Sequence, residues 1–175
     1  MLSVLENGGV IAYPTEAVMG LGCNPWNQAA VAKVLRLKRR PAAKGLIIVA
    51  SNAEQLSGLV DFSRVARLDE IAGSWPGPVT WLIPVGSVTP PWLTGQHGTL
   101  AVRVSAHPVV QRLCEEAGPL VSTSANPSAC RPARTQRRAR AYFGEALDYY
   151  VPGNVGADLR PSKIRDALTG ALVRE

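Results

Sequence analysis

Histidine is scarce in this sequence. Only His97 and His107 occur, and no His-Glu-x-x-His pair is present, which excludes a histidine-rich metal site. Lone histidines of this kind serve as surface or capping residues, and neither is assigned a function. Cysteine is also sparse: Cys23, Cys114 and Cys130 are odd in number and far apart, which supports neither a disulfide framework nor a Cys-x-x-Cys motif. No apolar run reaches the roughly 18 residues of a membrane span, and Met1 to Asn7 carries no basic leader, so a soluble cytoplasmic protein is expected. The nucleotide fingerprints are missing too. There is no G-x-x-x-x-G-K-[ST], Gly20-Leu-Gly22 lacks the third glycine of a dinucleotide loop, and no G-x-S-x-G marks a serine nucleophile. Acid is in deficit: 13 Asp and Glu against 19 Lys and Arg leave a net charge of +6 and a pI near 9.7. That balance points to polyanionic partners, either nucleotides or nucleic acid.

What is present fits one folded unit over residues 1–175, since 46% hydrophobic and 18% charged residues provide enough apolar surface to offset chain entropy. Apolar runs predict strands at Gly9–Tyr13, Leu46–Ala50, Val79–Val85, Thr99–Val104, Leu120–Thr123 and Ala146–Val151. Helical spacing predicts helices at Gln28–Arg39, stopped by Pro41, at Arg64–Ala72, at His107–Ala117 closed by Gly118, and at Gln136–Phe143 capped by Thr135. Ser51 is expected to cap a further helical stretch, and the chain ends in a hairpin turning at Thr169-Gly170. Strands and helices alternate without strict βαβ regularity. The expected fold class is α/β: a single twisted, mixed sheet flanked by helices, with a basic concave cavity at the strand ends.

Three segments carry candidate chemistry. Lys33, Arg36, Lys38, Arg39, Arg40 and Lys44 crowd one stretch, and no acid lies between Glu16 and Glu54. Such cations can simply face water at a helix end. Pro41, however, biases Arg40 out of the helix, so Lys38 and Arg40 can converge on one polyanion. In Val121-Ser-Thr-Ser-Ala-Asn-Pro127, Ser124 and Asn126 stand two apart beyond a buried strand, either an ordinary polar turn or a hydroxyl and amide offered to a ligand. In Tyr13-Pro-Thr-Glu-Ala-Val-Met-Gly-Leu-Gly22 a strand end is followed by a hydroxyl, an acid and a glycine-rich turn. Arg103 lies inside a predicted strand, either on its solvent side or clamping a substrate carboxylate. Trp75-Pro-Gly-Pro-Val-Thr-Trp81 reads as a rigid turn with packed aromatics.

Seven ordered blocks resemble the YrdC/TsaC family over nearly the whole chain. They are Ala12-Tyr-Pro-Thr-Glu-Ala-Val, Leu37-Lys-Arg-Arg-Pro, Lys44-Gly-Leu-Ile, Trp75-Pro-Gly-Pro-Val-Thr, Leu100-Ala-Val-Arg-Val, Val121-Ser-Thr-Ser-Ala-Asn and Pro161-Ser-Lys-Ile-Arg-Asp-Ala-Leu-Thr-Gly. The family's K-x-R and S-x-N signature falls on Lys38, Arg40, Ser124 and Asn126. Ala129 departs from the glycine common there, and the chain ends soon after the last block, as in the family's short form. The resemblance implies a threonylcarbamoyl-AMP synthase that joins L-threonine, bicarbonate and ATP for tRNA modification, releasing pyrophosphate. It implies that Lys38, Arg40, Ser124 and Asn126 serve catalysis and nucleotide binding, with Lys44 on the nucleotide side and Thr15, Arg103 and Thr123 holding threonine. Mg²⁺ would be bound through ATP phosphates, with no metal site built by the protein, and downstream threonylcarbamoyl-transfer proteins would take the product.

Two rivals remain. Arg131, Arg134, Arg137, Arg138 and Arg140 lie in an acid-free stretch that is either a solvated helix face or a contact for tRNA or double-stranded RNA, and the chain could be such a binding module without chemistry. A carbamoyl-transfer domain, as in hydrogenase maturation proteins, is the other.

Overall fold

The structure is a computed structural model that describes residues 1–158 and 162–174. Pro161 of the last block therefore lies outside the described residues. Among the described residues nine strands form one mixed sheet: β1 (Ile11–Pro14), β2 (Met19–Gly22), β3 (Ile47–Ala50), β4 (Val79–Pro84), β5 (Thr99–Val104), β6 (Leu120–Ser124), β7 (Tyr149–Tyr150), β8 (Lys163–Asp166) and β9 (Leu172–Arg174). Their order is β7-β1-β2-β6-β3-β5-β4-β8-β9. The β1/β7, β3/β5 and β4/β8 pairs are parallel and the remaining neighbours antiparallel. The helices are α1 (Leu2–Glu6), α2 (Gln28–Lys38), α3 (Leu68–Ser74), α4 (Pro91–Thr94), α5 (Pro108–Ala117) and α6 (Gln136–Phe143).

Alternation along the strands sends side chains to two opposite cores. Val10, Ala12, Leu21, Ile48, Val102 and Val121 pack with Val31 and Val34 of α2, Ile71 of α3, Leu93 of α4 and Phe143 of α6. Ile11, Tyr13, Val49 and Leu120 pack under Leu5 of α1 and Val110 and Leu113 of α5. Helix α5 stops over Val49 and Leu120. Beyond it the same sheet face continues through Ile47, Arg103 and Ser122, whose register with Val49, Ala101 and Leu120 fixes their side. That uncovered stretch of sheet is where a cavity forms.

Several elements differ from the expectation, each for a local reason. Met19–Gly22 is a strand and not a glycine-rich turn: β2 pairs with β1 and β6, and a Cβ on Gly22 would stand 2.7 Å from the Tyr13 ring and 2.6 Å from Val121 O. The glycines let the Tyr13 ring lie across β2. Ser51 does not cap a helix. Asn52 Oδ1 accepts from Gln55 N instead, at a short 3₁₀ turn, and Ser51 Oγ is buried without a partner. The helix predicted from Arg64 begins at Leu68, because Asp61 caps a separate turn at Phe62–Arg64 by accepting from Ser63 N. His107 is the N-cap of α5, its Nδ1 accepting from Val109 N, and Thr135 caps α6 by accepting from Arg138 N. No helix of the described residues is long and apolar enough to cross a membrane.

Candidate active site

Helix α2 ends where the sequence places its cations. Arg39 takes a left-handed conformation (φ 51°), which turns the chain back at Lys38 and sends Arg40 off in a new direction. Lys38 is only 4% exposed. Its ammonium donates to Ser124 O and to Asn126 O at 2.9 Å, with Ser124 Oγ at 3.4 Å and Asn126 Oδ1 at 3.5 Å. Two signature halves separated by 86 residues therefore meet at one nitrogen. Burial, and after it the Arg40 charge, pull Lys38 down to about 8, while the oxygens around the ammonium favour its charged form.

Arg40 grips the following turn, donating from Nε and Nη2 to Gly45 O and from Nη2 to Lys44 O. Asn126 spends its amide on its own loop, donating to Pro127 O at 3.0 Å and Cys130 O at 2.7 Å. It shapes the loop that carries Ser124 and Ser128, the latter donating to Lys38 O and Arg39 O. Within that loop Cys130 N donates to Pro127 O around Ala129, whose φ is 66°. A turn with positive φ at its third residue favours glycine, which explains the physical preference at this position. Ala129→Gly is expected to stabilise the fold by about 0.5–1 kcal/mol by relieving that strain. Urea unfolding measures it, and an equal or lower midpoint contradicts the turn assignment.

Across the cavity, Arg103 projects from β5 and is 7% exposed. It does not face solvent. Its Nη1 lies 3.1 Å from Glu16 Oε2, while Glu16 Oε1 accepts from Ser105 Oγ at 2.6 Å and Ala106 N at 3.2 Å. Burial alone would raise the Glu16 carboxyl; the Arg103 charge and the Ser105 and Ala106 hydrogen bonds outweigh it and hold it below its ordinary value. Thr15 closes the β1–β2 turn by donating from Oγ1 to Val18 O at 2.7 Å.

All eight residues named from the sequence, Thr15, Lys38, Arg40, Lys44, Arg103, Thr123, Ser124 and Asn126, line a single cavity of about 460 Å³. Ser124 and Asn126 do stand at and past the end of β6, but Arg103, Ile47 and Ser122 form a floor within the strands, so the cavity lies over the sheet face as much as at strand ends. Sequence reasoning placed Glu16 in a candidate segment without a role, and did not assign Ser122 and Arg174 to the site at all. Glu16 had a signal, being the only acid between Glu6 and Glu54. Arg174 had none: it reaches the cavity because the β8–β9 hairpin joins the sheet beside β4, and burial and then the charges of Arg40 and Arg103 depress its pKa. Among the described residues no group of three or more His, Cys, Asp or Glu side chains is placed to hold a metal ion.

The five guanidinium residues of the other basic stretch are exposed on and before α6. Arg138 stacks on Tyr142 and Arg140 on Tyr150, with 4.6 Å and 4.1 Å to the ring centroids.

A family model for Sua5, YciO and YrdC, described as telomere recombination, matches residues 3–175. The chain belongs to this family. It is 53% identical over 171 residues to a protein of Pseudomonas aeruginosa named threonylcarbamoyl-AMP synthase, covering 98% of this chain and 92% of the relative. A Hahella chejuensis protein of the same name is 50% identical over 175 residues, covering 99% and 95%. Among solved structures, P. abyssi Sua5 superposes with a TM-score of 0.90 at 30% identity, covering 99% of this chain and 53% of that one. The chain thus spans about half the length of that Sua5. The same protein complexed with L-threonine gives a TM-score of 0.87 at 30% identity, over 94% of this chain and 49% of that one.

Proposed function

We propose that this chain is an L-threonylcarbamoyl-AMP synthase, a nucleotidyltransferase acting in the cytoplasm, and that residues 1–175 act as one catalytic domain. The observation that carries this is the meeting of Lys38, Ser124 and Asn126 on one wall of the cavity whose other wall is the Arg103–Glu16 pair. The names of close relatives, and the threonine complex of Sua5, support it.

In this reading the amine of threonine takes up bicarbonate with loss of water, giving N-carboxy-threonine. Its new carboxylate attacks the α-phosphorus of ATP, and the bond to the β-phosphate oxygen breaks to release pyrophosphate. An anion must approach a polyanion, so preorganised positive charge lowers the barrier. Lys38, Arg40 and Lys44 supply it on the nucleotide side, with Arg174 between them and Arg103. Ser124 offers its hydroxyl to a phosphate oxygen, and Asn126 keeps the loop in shape. Thr15, Thr123 and Arg103 hold threonine, the guanidinium facing the carboxylate as a planar fork. Mg²⁺ bound with ATP would neutralise negative charge on the phosphates. Of the two acids among the described residues that line the cavity, Glu16 is committed to Arg103 and Asp158 is the one carboxylate left that could help hold such an ion, which would otherwise be held by ATP phosphates and water.

Pyrophosphate release that requires threonine and bicarbonate together is the expected result; release independent of threonine overturns the proposal. A second expectation concerns pH. Lys38 is cationic below about 8 and neutral above it, so ATP affinity should fall about tenfold between about pH 7 and pH 9.5 as that charge is lost. Calorimetric titration of wild type and Lys38→Met checks this: the variant should show a flat response over that range, and a flat wild-type response contradicts it. The product would pass to threonylcarbamoyl-transfer proteins, and the exposed arginines of α6 are the face we propose for a tRNA contact, reduced by the two that fold back onto tyrosines.

A further inference from the structure

Glu16 is absent from the reaction just described, yet it is among the most firmly held side chains in the cavity. It sits in the β1–β2 loop with both carboxylate oxygens engaged: Oε2 faces Arg103 Nη1, and Oε1 accepts from Ser105 and Ala106. Its backbone is fixed as well, since Asp158 N donates to Glu16 O, and Gly156 lies so close that a Cβ there would meet Glu16 O at 2.6 Å. Ser105 Oγ in turn accepts from His107 N at the start of α5. The carboxylate is thus tied to the N-terminus of a helix and presents one oxygen to Nη1 of the guanidinium.

The consequence falls on Arg103. Its Nη1 is occupied, Nε is buried without a partner, and among the described residues Nη2 has no protein acceptor. An arginine side chain has four rotatable bonds and loses much freedom on being fixed. The Glu16 contact at Nη1 restricts rotation of the guanidinium about its last side-chain bonds, and with Nε buried it leaves Nη2 as the donor placed to meet a planar acceptor. The cavity supplies the room for one.

We infer that Glu16 is a positioning residue for substrate recognition: it orients the Arg103 guanidinium so that its Nη2 meets the α-carboxylate of the amino-acid substrate. Glu16 makes no substrate contact in this account and takes no proton. The inference rests on the threonine-dependent reading of the cavity. It distinguishes Glu16 from a residue that merely stabilises the fold, because its effect must run through Arg103 and must be selective for the amino acid.

The test compares wild type with Glu16→Gln, Arg103→Ala and the double variant in pyrophosphate release, with threonine and ATP varied separately. Glu16→Gln should raise the KM for threonine about tenfold and leave that for ATP within about twofold. In the Arg103→Ala background the same change should add nothing, since there is no guanidinium left to orient. Equal shifts for both substrates, or additive effects in the double variant, overturn the inference. Should Glu16→Gln not fold, Ser105→Ala carries the test: it removes one donor from Oε1 without removing the charge and should raise the threonine KM about threefold. An unchanged value in a folded Ser105→Ala also overturns it. Absence of threonine-dependent release by wild type would instead defeat the underlying functional reading, so the two failures are separable.

Discussion

Replacing Lys38 by alanine is expected to lower kcat/KM for pyrophosphate release by about 100- to 1,000-fold, the range seen when one preorganised donor at a developing charge is removed. The size follows from two losses at once. The cavity loses the cation at the junction of its signature halves, and Ser124 O and Asn126 O lose the ammonium that holds them. Lys38→Met separates these losses from packing, since it keeps the apolar stem. It should be nearly as inactive as the alanine variant while retaining the native circular-dichroism spectrum. A folded Lys38 variant that keeps activity within about threefold of wild type would remove Lys38 from the account.

The second large effect is expected at Arg103. Truncation to alanine should raise the KM for threonine about 30- to 100-fold, as loss of a buried charged hydrogen-bond partner does, with the ATP requirement little changed. It should also destabilise the protein, because Glu16 is left buried and unpaired. Breaking one side of such a pair costs about 3 kcal/mol, or about 6–12 °C in melting temperature for a chain of this size. Activity measured well below the shifted melting point separates the two effects. An unchanged threonine dependence would make Arg103 a purely structural residue.

How much of this was legible in the sequence depends on how local the determinant is. Thr99–Val104, with its β-branched alternation, and Gln136–Phe143, with Thr135 before it, were readable to the residue because composition and capping act within a few positions. Gln28 to the end of α2 was nearly so. The left-handed turn at Arg39 was not, since nothing in Lys-Arg-Arg-Pro states which residue breaks the helix. Met19–Gly22 was hidden for the opposite reason. Its glycines suit a turn by propensity, and only the tertiary demand of the Tyr13 ring and Val121 O makes them strand residues.

The site divides along the same line. Cation clustering at a helix end singles out Lys38 and Arg40, a strand end singles out Ser124 and Asn126, and the fold collects all four in one cavity. The orientation of each group was not readable: Asn126 turns its amide into its loop, and Arg40 holds the Lys44–Gly45 turn. Arg103 could not be assigned to a face from sequence because its partner, Glu16, is 87 residues away. Long-range pairs of this kind are properties of the register between strands, which β3 sets by pairing β5 on one side and β6 on the other.

Whether the cavity joins threonine, bicarbonate and ATP is read out most directly by mass measurement of the product formed from ¹³C-labelled bicarbonate, ATP, Mg²⁺ and each amino acid in turn. A labelled threonylcarbamoyl-AMP is expected in amounts matching the pyrophosphate released, with threonine strongly preferred. ATP turnover that yields no labelled adenylate, or an adenylate formed equally from any amino acid, would contradict it.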